Sequence, residues 1–226
     1  MKNLTKDFRN FAIDKTNIKP TVFDDVIKKN ENSIMPFILE ERKLNVAQMD
    51  VFSRLLFDRI IYFSGVVNDE SCNTVIAQLL YLSSIDNRDI NIYINSPGGS
   101  VVDGLGVIDT INFIPCDVST TCIGMAASMG AVLLSCGVKG KRFVLPHSRV
   151  MVHQVSSGMQ GTSKDLEIEL EQTLRCKKDI YEILAKNTDK SFEQIEKDCD
   201  RNFWLIGEEA VNYGIADKLL VKSENK

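Results

Sequence analysis

The sequence predicts an α/β fold with largely parallel strands. Three observations point there. Short runs rich in β-branched residues, such as Ile90-Asn91-Ile92-Tyr93-Ile94, alternate with stretches whose apolar residues recur at helical spacing. Turns carrying Gly, Pro, Asn and Ser separate them, so strand, turn and helix repeat in the order that parallel crossovers require. The chain has 226 residues, 44% of them apolar, which suffices for one core of ordinary size.

The elements follow in order. Residues 1–33 are polar, with a Lys28-Lys29-Asn30-Glu31-Asn32 cluster and little periodicity. They read as a mobile extension or removable leader, with a single domain over 34–226. Val46, Met49, Phe52, Leu55 and Leu56 share a face, which predicts a helix over Val46–Arg59. Arg59–Phe63 is a strand, Ser71–Ser84 a helix bearing Val75, Leu79 and Leu82, and Ile90–Ile94 a strand. Asn95–Gly99 reads as a turn, Val101–Phe113 as a helix, Val118–Ile123 as a strand and Ala126–Cys136 as a buried helix. Arg142–Leu145 and Arg149–Val152 are strands, and the Gly- and Ser-containing Gln154–Thr162 is extended. Leu166, Leu170 and Leu174, continued by Ile180, Ile183 and Leu184, put one long helix over Ser163–Lys186. At roughly 24 residues it is twice the usual 11–12, which suits either a core helix or a helix that projects to pack against a second subunit. Ser191–Asp198 and Gly207–Tyr213 are short helices, and Lys218–Val221 is a last strand.

Composition excludes several function classes. The net charge is −4 with acids and bases mixed, and no basic stripe invites nucleic acid. No apolar run approaches the roughly 18–20 residues that span a bilayer, and the opening MKNLTKDFRNFAIDK lacks the apolar centre of a secretory signal. A cytoplasmic location is expected. The six cysteines form no C-x-x-C pair and have no histidine at ligand spacing, so reduced structural thiols are expected and no metal. Cys122 and Cys136 read as small buried hydrophobes.

The chemistry gathers at GMAASMG (Gly124–Gly130) and MVHQ (Met151–Gln154). A serine hydroxyl needs a neighbouring base to take its proton, and backbone N–H groups to hold the oxyanion formed in acyl transfer. Ser128 stands where a strand gives way to a helix, among residues small enough for a substrate backbone to approach. The chain has only two histidines. His153 ends an apolar strand, whereas His147 follows Pro146 in a turn and reads as exposed or structural. The competing reading of Ser128 is a packed small residue in a buried helix. It does not sit in a G-x-S-x-G elbow, because Ala126 holds the first glycine position. SPGGS (Ser96–Ser100) places two glycines between strand and helix, suited to close ligand approach or to a plain tight turn. A phosphate loop would need G-x-x-x-x-G-K-[ST], which is missing here.

Together, YINSPGGSV (Tyr93–Val101), GMAASMG, GKRFVLPHSRVMVHQ (Gly140–Gln154) and EEAVNYGIAD (Glu208–Asp217) resemble the ClpP family, the proteolytic subunits of the ATP-dependent Clp protease. The likeness runs from about Pro36 to Val221. It implies a crotonase-like α/β fold with a protruding handle helix, Ser163–Lys186, assembled as two stacked heptameric rings around a chamber. By the resemblance Ser128 is the nucleophile and His153 the general base, with the N–H groups of Gly99 and Met129 as oxyanion hole. Gly98, Ser100 and Val101 on one side and Gln154, Val155 and Ser156 on the other would hold the substrate peptide as an added strand. Residues Pro36–Asn45 would line an axial pore, and Leu55 and Tyr81 would contribute to docking pockets for the partner. That partner is a AAA+ Clp ATPase, which feeds unfolded protein substrates and itself uses the ATP. No cofactor is implied in this subunit.

One position departs from the family pattern. Members commonly carry acid-Arg-Asp before a large residue, and the Asp orients the histidine. Here the segment reads Asp200-Arg201-Asn202-Phe203, so ungapped counting places Asn202 at the triad Asp and Asp200 and Arg201 at the pair contacting the opposite ring. An Asn accepts the hydrogen bond but brings no charge, and an Asp-to-Asn change in a chymotrypsin-like triad costs about 10⁴ in kcat. Three readings stay open. Asn202 supports slow peptidase activity, or Asp198 or Asp200 substitutes after a loop shift, or the subunit works in mixed rings with a paralogue bearing a full triad. The alternative class is a non-catalytic ring component. An acyl-CoA hydratase or isomerase shares the crotonase fold but needs paired carboxylates that are not evident here.

Overall fold

The computed structural model describes residues 37–42 and 45–222, with side chains from Met49 onward. The expected extension over residues 1–33, and Pro36 at the head of the expected pore segment, lie outside the described residues. The chain divides into two compact units, the first ending at Asp58 and the second starting at Arg59.

In the first unit, β1 (Phe37–Arg42) and β2 (Asn45–Asp50) pair antiparallel, from Phe37 opposite Asp50 to Arg42 opposite Asn45. The helix α1 follows at Val51–Phe57. The helical spacing from Val46 onward was thus only half obeyed, because the stretch to Asp50 pairs with β1 instead. Asp50 sets the boundary: its carboxylate accepts from the Ser53 N–H at 2.9 Å and caps the helix. Those Ser53 hydrogen bonds also hold the Asp50 carboxyl below its usual range.

The second unit is mixed α/β. Its elements are β3 (Ile60–Val67), α2 (Asp69–Ile85), β4 (Ile90–Gly99), α3 (Val101–Phe113), β5 (Val118–Ala127), α4 (Met129–Ser135), β6 (Arg142–Val144) and β7 (Arg149–Val152). Then come α5 (Ser163–Thr188), α6 (Phe192–Asp198), β8 (Phe203–Ile206), α7 (Glu208–Tyr213) and β9 (Lys218–Leu219). Among the described residues they form a seven-stranded sheet in which β3-β4-β5-β6-β9 run parallel. Off this path, β7 pairs parallel with β5, and β8 pairs antiparallel with β7. The strand β5 therefore forks: Thr120–Cys122 face β6 while Met125–Ala127 face β7.

Helical periodicity explains the layer on the sheet. α2 buries Cys72, Val75, Leu79 and Leu82, and α3 buries Val107, Ile108 and Ile111. α4 is buried along its whole length and touches β4 and β5, which is why its sequence is small and apolar throughout. α5 has two characters. Its base buries Cys176, Ile180, Tyr181 and Leu184, while Ile168, Leu170 and Leu174 stay 55%, 51% and 55% exposed.

A buried ion pair ties the C-terminal elements to the sheet. The Arg142 guanidinium meets both Asp217 oxygens, at 2.6 and 2.9 Å, and also donates to the Asn187 carbonyl at 2.7 Å. Burial alone would raise the Asp217 carboxyl, but the Arg142 hydrogen bonds and charge outweigh it and hold it below its ordinary value. Its folded pKa is depressed, so its contribution to stability is complete above the unfolded value near 3.8 and is lost as pH falls through the folded value. Asp217→Ala is expected to cost about 3–5 kcal/mol at neutral pH, because it strands a buried guanidinium. Denaturant unfolding of parent and variant should converge as the pH drops below that range.

Candidate active site

The fork in β5 builds the site. Because β7 pairs with the far end of β5, Ala127 opposite Met151, the residues that follow each strand emerge side by side. Those residues include Ser128 and His153. The Ser128 N–H donates to the Met151 carbonyl at 2.8 Å, fixing the serine against β7. Its Oγ lies 2.9 Å from His153 Nε2. Both side chains are half-buried. The serine heads α4 with φ 53° and ψ −124°, a backbone region that costs a non-glycine residue of order 1–3 kcal/mol.

Gly98 and Gly99 bring β4 up to this turn. A Cβ on Gly98 would stand 2.6 Å from the Ser128 Cβ and 2.9 Å from the Met129 nitrogen, so only glycine lets the two backbones meet. A Cβ on Gly99, at φ +151°, would stand 2.2 Å from the Val67 carbonyl oxygen. The stretch expected as a turn is strand instead: β4 continues to Gly99 by pairing Gly98 and Gly99 with Val66 and Val67 across a bulge. Ser100 then caps α3 through the Asp103 N–H.

A recess opens at the pair. Gly99, Ser128, His153, Gln154, Val155 and Ser156 are among its lining residues. Val101, Met129, Val132, Val152, Ile180 and Leu184 make its apolar wall. Of the residues expected to hold substrate, the recess thus collects Val101, Gln154, Val155 and Ser156, with Gly98 packed directly beneath Ser128. Ile180 and Leu184 were legible only as a helical stripe. The signal for their second use was that the stripe continues past Cys176, where α5 turns inward.

The third position is arranged differently. Asn202 is exposed, and among the described residues no hydrogen bond joins it to His153 or reaches the second ring nitrogen of His153. Asp200 and Arg201 are exposed too, their side chains 3.9 Å apart. Asp198 is occupied elsewhere, accepting from Tyr213 at 2.8 Å and Gln194 at 2.7 Å. Burial and that bond to Asp198 push the Tyr213 phenol up, keeping it a donor. A loop shift that offered Asp198 to His153 would have to break both bonds.

The thiols take no part. All six cysteines are free. Burial pushes Cys122 and Cys136 up to about 11 and Cys199 to about 12, so they stay protonated. Cys136 is half-buried rather than fully buried. His147 is exposed. Among the described residues, no cluster of His, Cys, Asp or Glu is arranged to hold a metal ion, and no helix is long and apolar enough to cross a membrane.

A strained serine bonded to an imidazole, beside a glycine-rich strand and an apolar recess, is the arrangement of a peptidase. Residues 42–223 match the Clp protease family, to which this chain belongs. It is 51% identical over 218 residues to a Porphyromonas gingivalis protein, covering 96% of this chain and 98% of that one. It is likewise 51% identical over 217 residues to proteins of Bacteroides fragilis and Bacteroides thetaiotaomicron, covering 96% of this chain and 99% of each. All three relatives are called ATP-dependent Clp protease proteolytic subunit.

The backbone strain at Ser128 can be separated from the hydroxyl. Ser128→Ala and Ser128→Gly both delete the Oγ, but only glycine relaxes the positive φ. Thermal unfolding is expected to show Ser128→Gly more stable than Ser128→Ala by about 1 kcal/mol. Equal stabilities would mean that the turn stores no strain.

Proposed function

We propose that this chain is a serine endopeptidase subunit of a compartmentalised, ATP-dependent protease. The observation that carries this is the 2.9 Å approach of Ser128 Oγ to His153 Nε2 at the mouth of the recess. His153 takes the hydroxyl proton as Oγ attacks the scissile carbonyl. The N–H groups of Gly99 and Met129 receive the oxyanion, and His153 returns its proton to the leaving amine. Water then hydrolyses the acyl-Ser128 with the same base. The substrate backbone lies between Gly98–Val101 on one side and Gln154–Ser156 on the other, and the apolar wall accepts the side chain before the cut. The subunit needs no cofactor of its own.

The names of the relatives support a AAA+ Clp ATPase as the partner that unfolds substrates and threads them in. Tyr81, which is 55% exposed, belongs to the surface that receives it. The exposed apolar half of α5 supports assembly as two stacked heptameric rings on a crotonase-like fold, since a second copy would cover Ile168, Leu170 and Leu174. Asp200 and Arg201, both exposed, are then available to the opposite ring.

Asn202 makes this a subunit of reduced activity. It supplies no charge to the imidazolium, and its lack of a bond to His153 favours a second reading, a weakly catalytic or non-catalytic ring subunit paired with an active paralogue. One experiment separates the two. In assembled particles, a fluorophosphonate probe is expected to label Ser128, and Asn202→Asp is expected to raise kcat for a model peptide at least tenfold, within the roughly 10⁴ that the charge is worth elsewhere. Failure to label in a full particle would favour the structural role. Labelling without a gain from Asn202→Asp would show that Asn202 is not limiting.

A further inference from the structure

The pairing of β7 with β8 contains more information than its last bridge. Arg149 pairs with Ile206, Val150 with Leu205, Met151 with Trp204 and Val152 with Phe203. Extended by one antiparallel step, this register would set His153 opposite Asn202. The ladder stops one step short of that pair. A side chain continues it: Gln154 Nε2 donates to the Asp200 carbonyl at 3.0 Å.

We propose that Gln154 is a positioning residue whose amide clamps the Asp200 carbonyl and so keeps Asn202 at the register position facing His153. This rests on the peptidase reading above. An Asp at position 202 would be drawn towards the imidazolium by charge, but an Asn is not, so its placement depends on how the backbone around it is held. The Gln154 bond is suited to that task. It flanks His153 by one residue and Asn202 by two, and it grips a main-chain atom, so it sets the path of the segment without engaging the Asp200 or Arg201 side chains. The acceptor is a carbonyl, so position 154 must supply a donor. The peptide-binding role proposed for the same segment uses the Gln154 backbone, which the clamp leaves alone.

The test is a double-mutant cycle on the assembled full chain. Gln154→Met keeps the length of the side chain and removes the donor. In the parent it is expected to lower kcat for a model peptide, and the rate of fluorophosphonate labelling at Ser128, by roughly tenfold, because a small misplacement in such a site is costly. KM should stay within about twofold. In the Asn202→Ala background there is no amide left to position, so Gln154→Met should lower kcat no further. An equal loss in both backgrounds, a loss confined to KM, or no loss at all would overturn the proposal while leaving the peptidase reading intact. A parent particle that neither cuts peptide nor labels would overturn both.

Discussion

The structure depends on how one residue is pinned at the end of β5. The Ser128 amide is held by the Met151 carbonyl, its backbone is forced to positive φ, and Gly98 packs against its Cβ with no room for a side chain. Each contact comes from a different strand: β7, β5 itself and β4. A hydroxyl fixed from three directions does not search for its base. The distance to His153 follows from the register of two parallel strands rather than from side-chain flexibility, and that register is set by the apolar residues β5 and β7 bury. The fork in β5 is thus what brings Ser128 and His153 together. Were β7 to continue beside β6 in a simple parallel array, it would not end next to the serine.

The part of this that could be read from sequence was the part governed by local periodicity. Val101–Phe113 forms a helix over the predicted span because the apolar spacing is sharp and Ser100 marks its start. Ser128 at a strand-to-helix junction and His153 at a strand end were legible for the same reason. What escaped was set by pairing. β4 and β5 outrun their apolar runs because Gly98 and Gly99 find partners in β3, and Met125–Ala127 find them in β7. β2 takes residues with helical spacing because β1 lies beside them. β8 is four residues long and carries too little pattern to be seen alone. The place proposed for Asn202 came from motif resemblance, whereas the β7–β8 register that leads towards it is displayed by no single stretch of sequence.

The two halves of α5 connect the fold to the proposed chamber. The base, from Cys176 onward, is an ordinary core helix, and Ile180 and Leu184 wall the recess. The outer half repeats apolar residues that stay exposed among the described residues. Ile168, Leu170 and Leu174 exposed together would be a costly surface for a free monomer, and burial stabilises by about 25 cal/mol per Å² of apolar area. One continuous helix therefore carries both the pocket wall and the surface through which copies would join. In the proposed assembly, a tilt imposed on the outer half would reach Ile180 and Leu184 along the same helix, so joining of copies and recess shape would be coupled.

Against this rigid frame the Asn at position 202 becomes intelligible as a change in one energy term. Ser128, His153, the glycine strand and the recess are all placed by packing and register, and none needs a carboxylate at position 202 to take its place. What an Asp would add is attraction for the imidazolium that exists only while Oγ is bonding to carbon. On the proposed reading, removing that attraction would raise the barrier and leave the architecture standing. Asp198 is not free to compensate, being bound by Tyr213 and Gln194. The remaining control is geometric: an amide oxygen stabilises a developing N–H donor only if it is already in place, since it exerts little pull of its own from a distance. With Asn202 as third member, the proposed triad would rely more heavily on the hydrogen bonds that hold that residue's backbone, and the one from Gln154 to the Asp200 carbonyl is next to both participants.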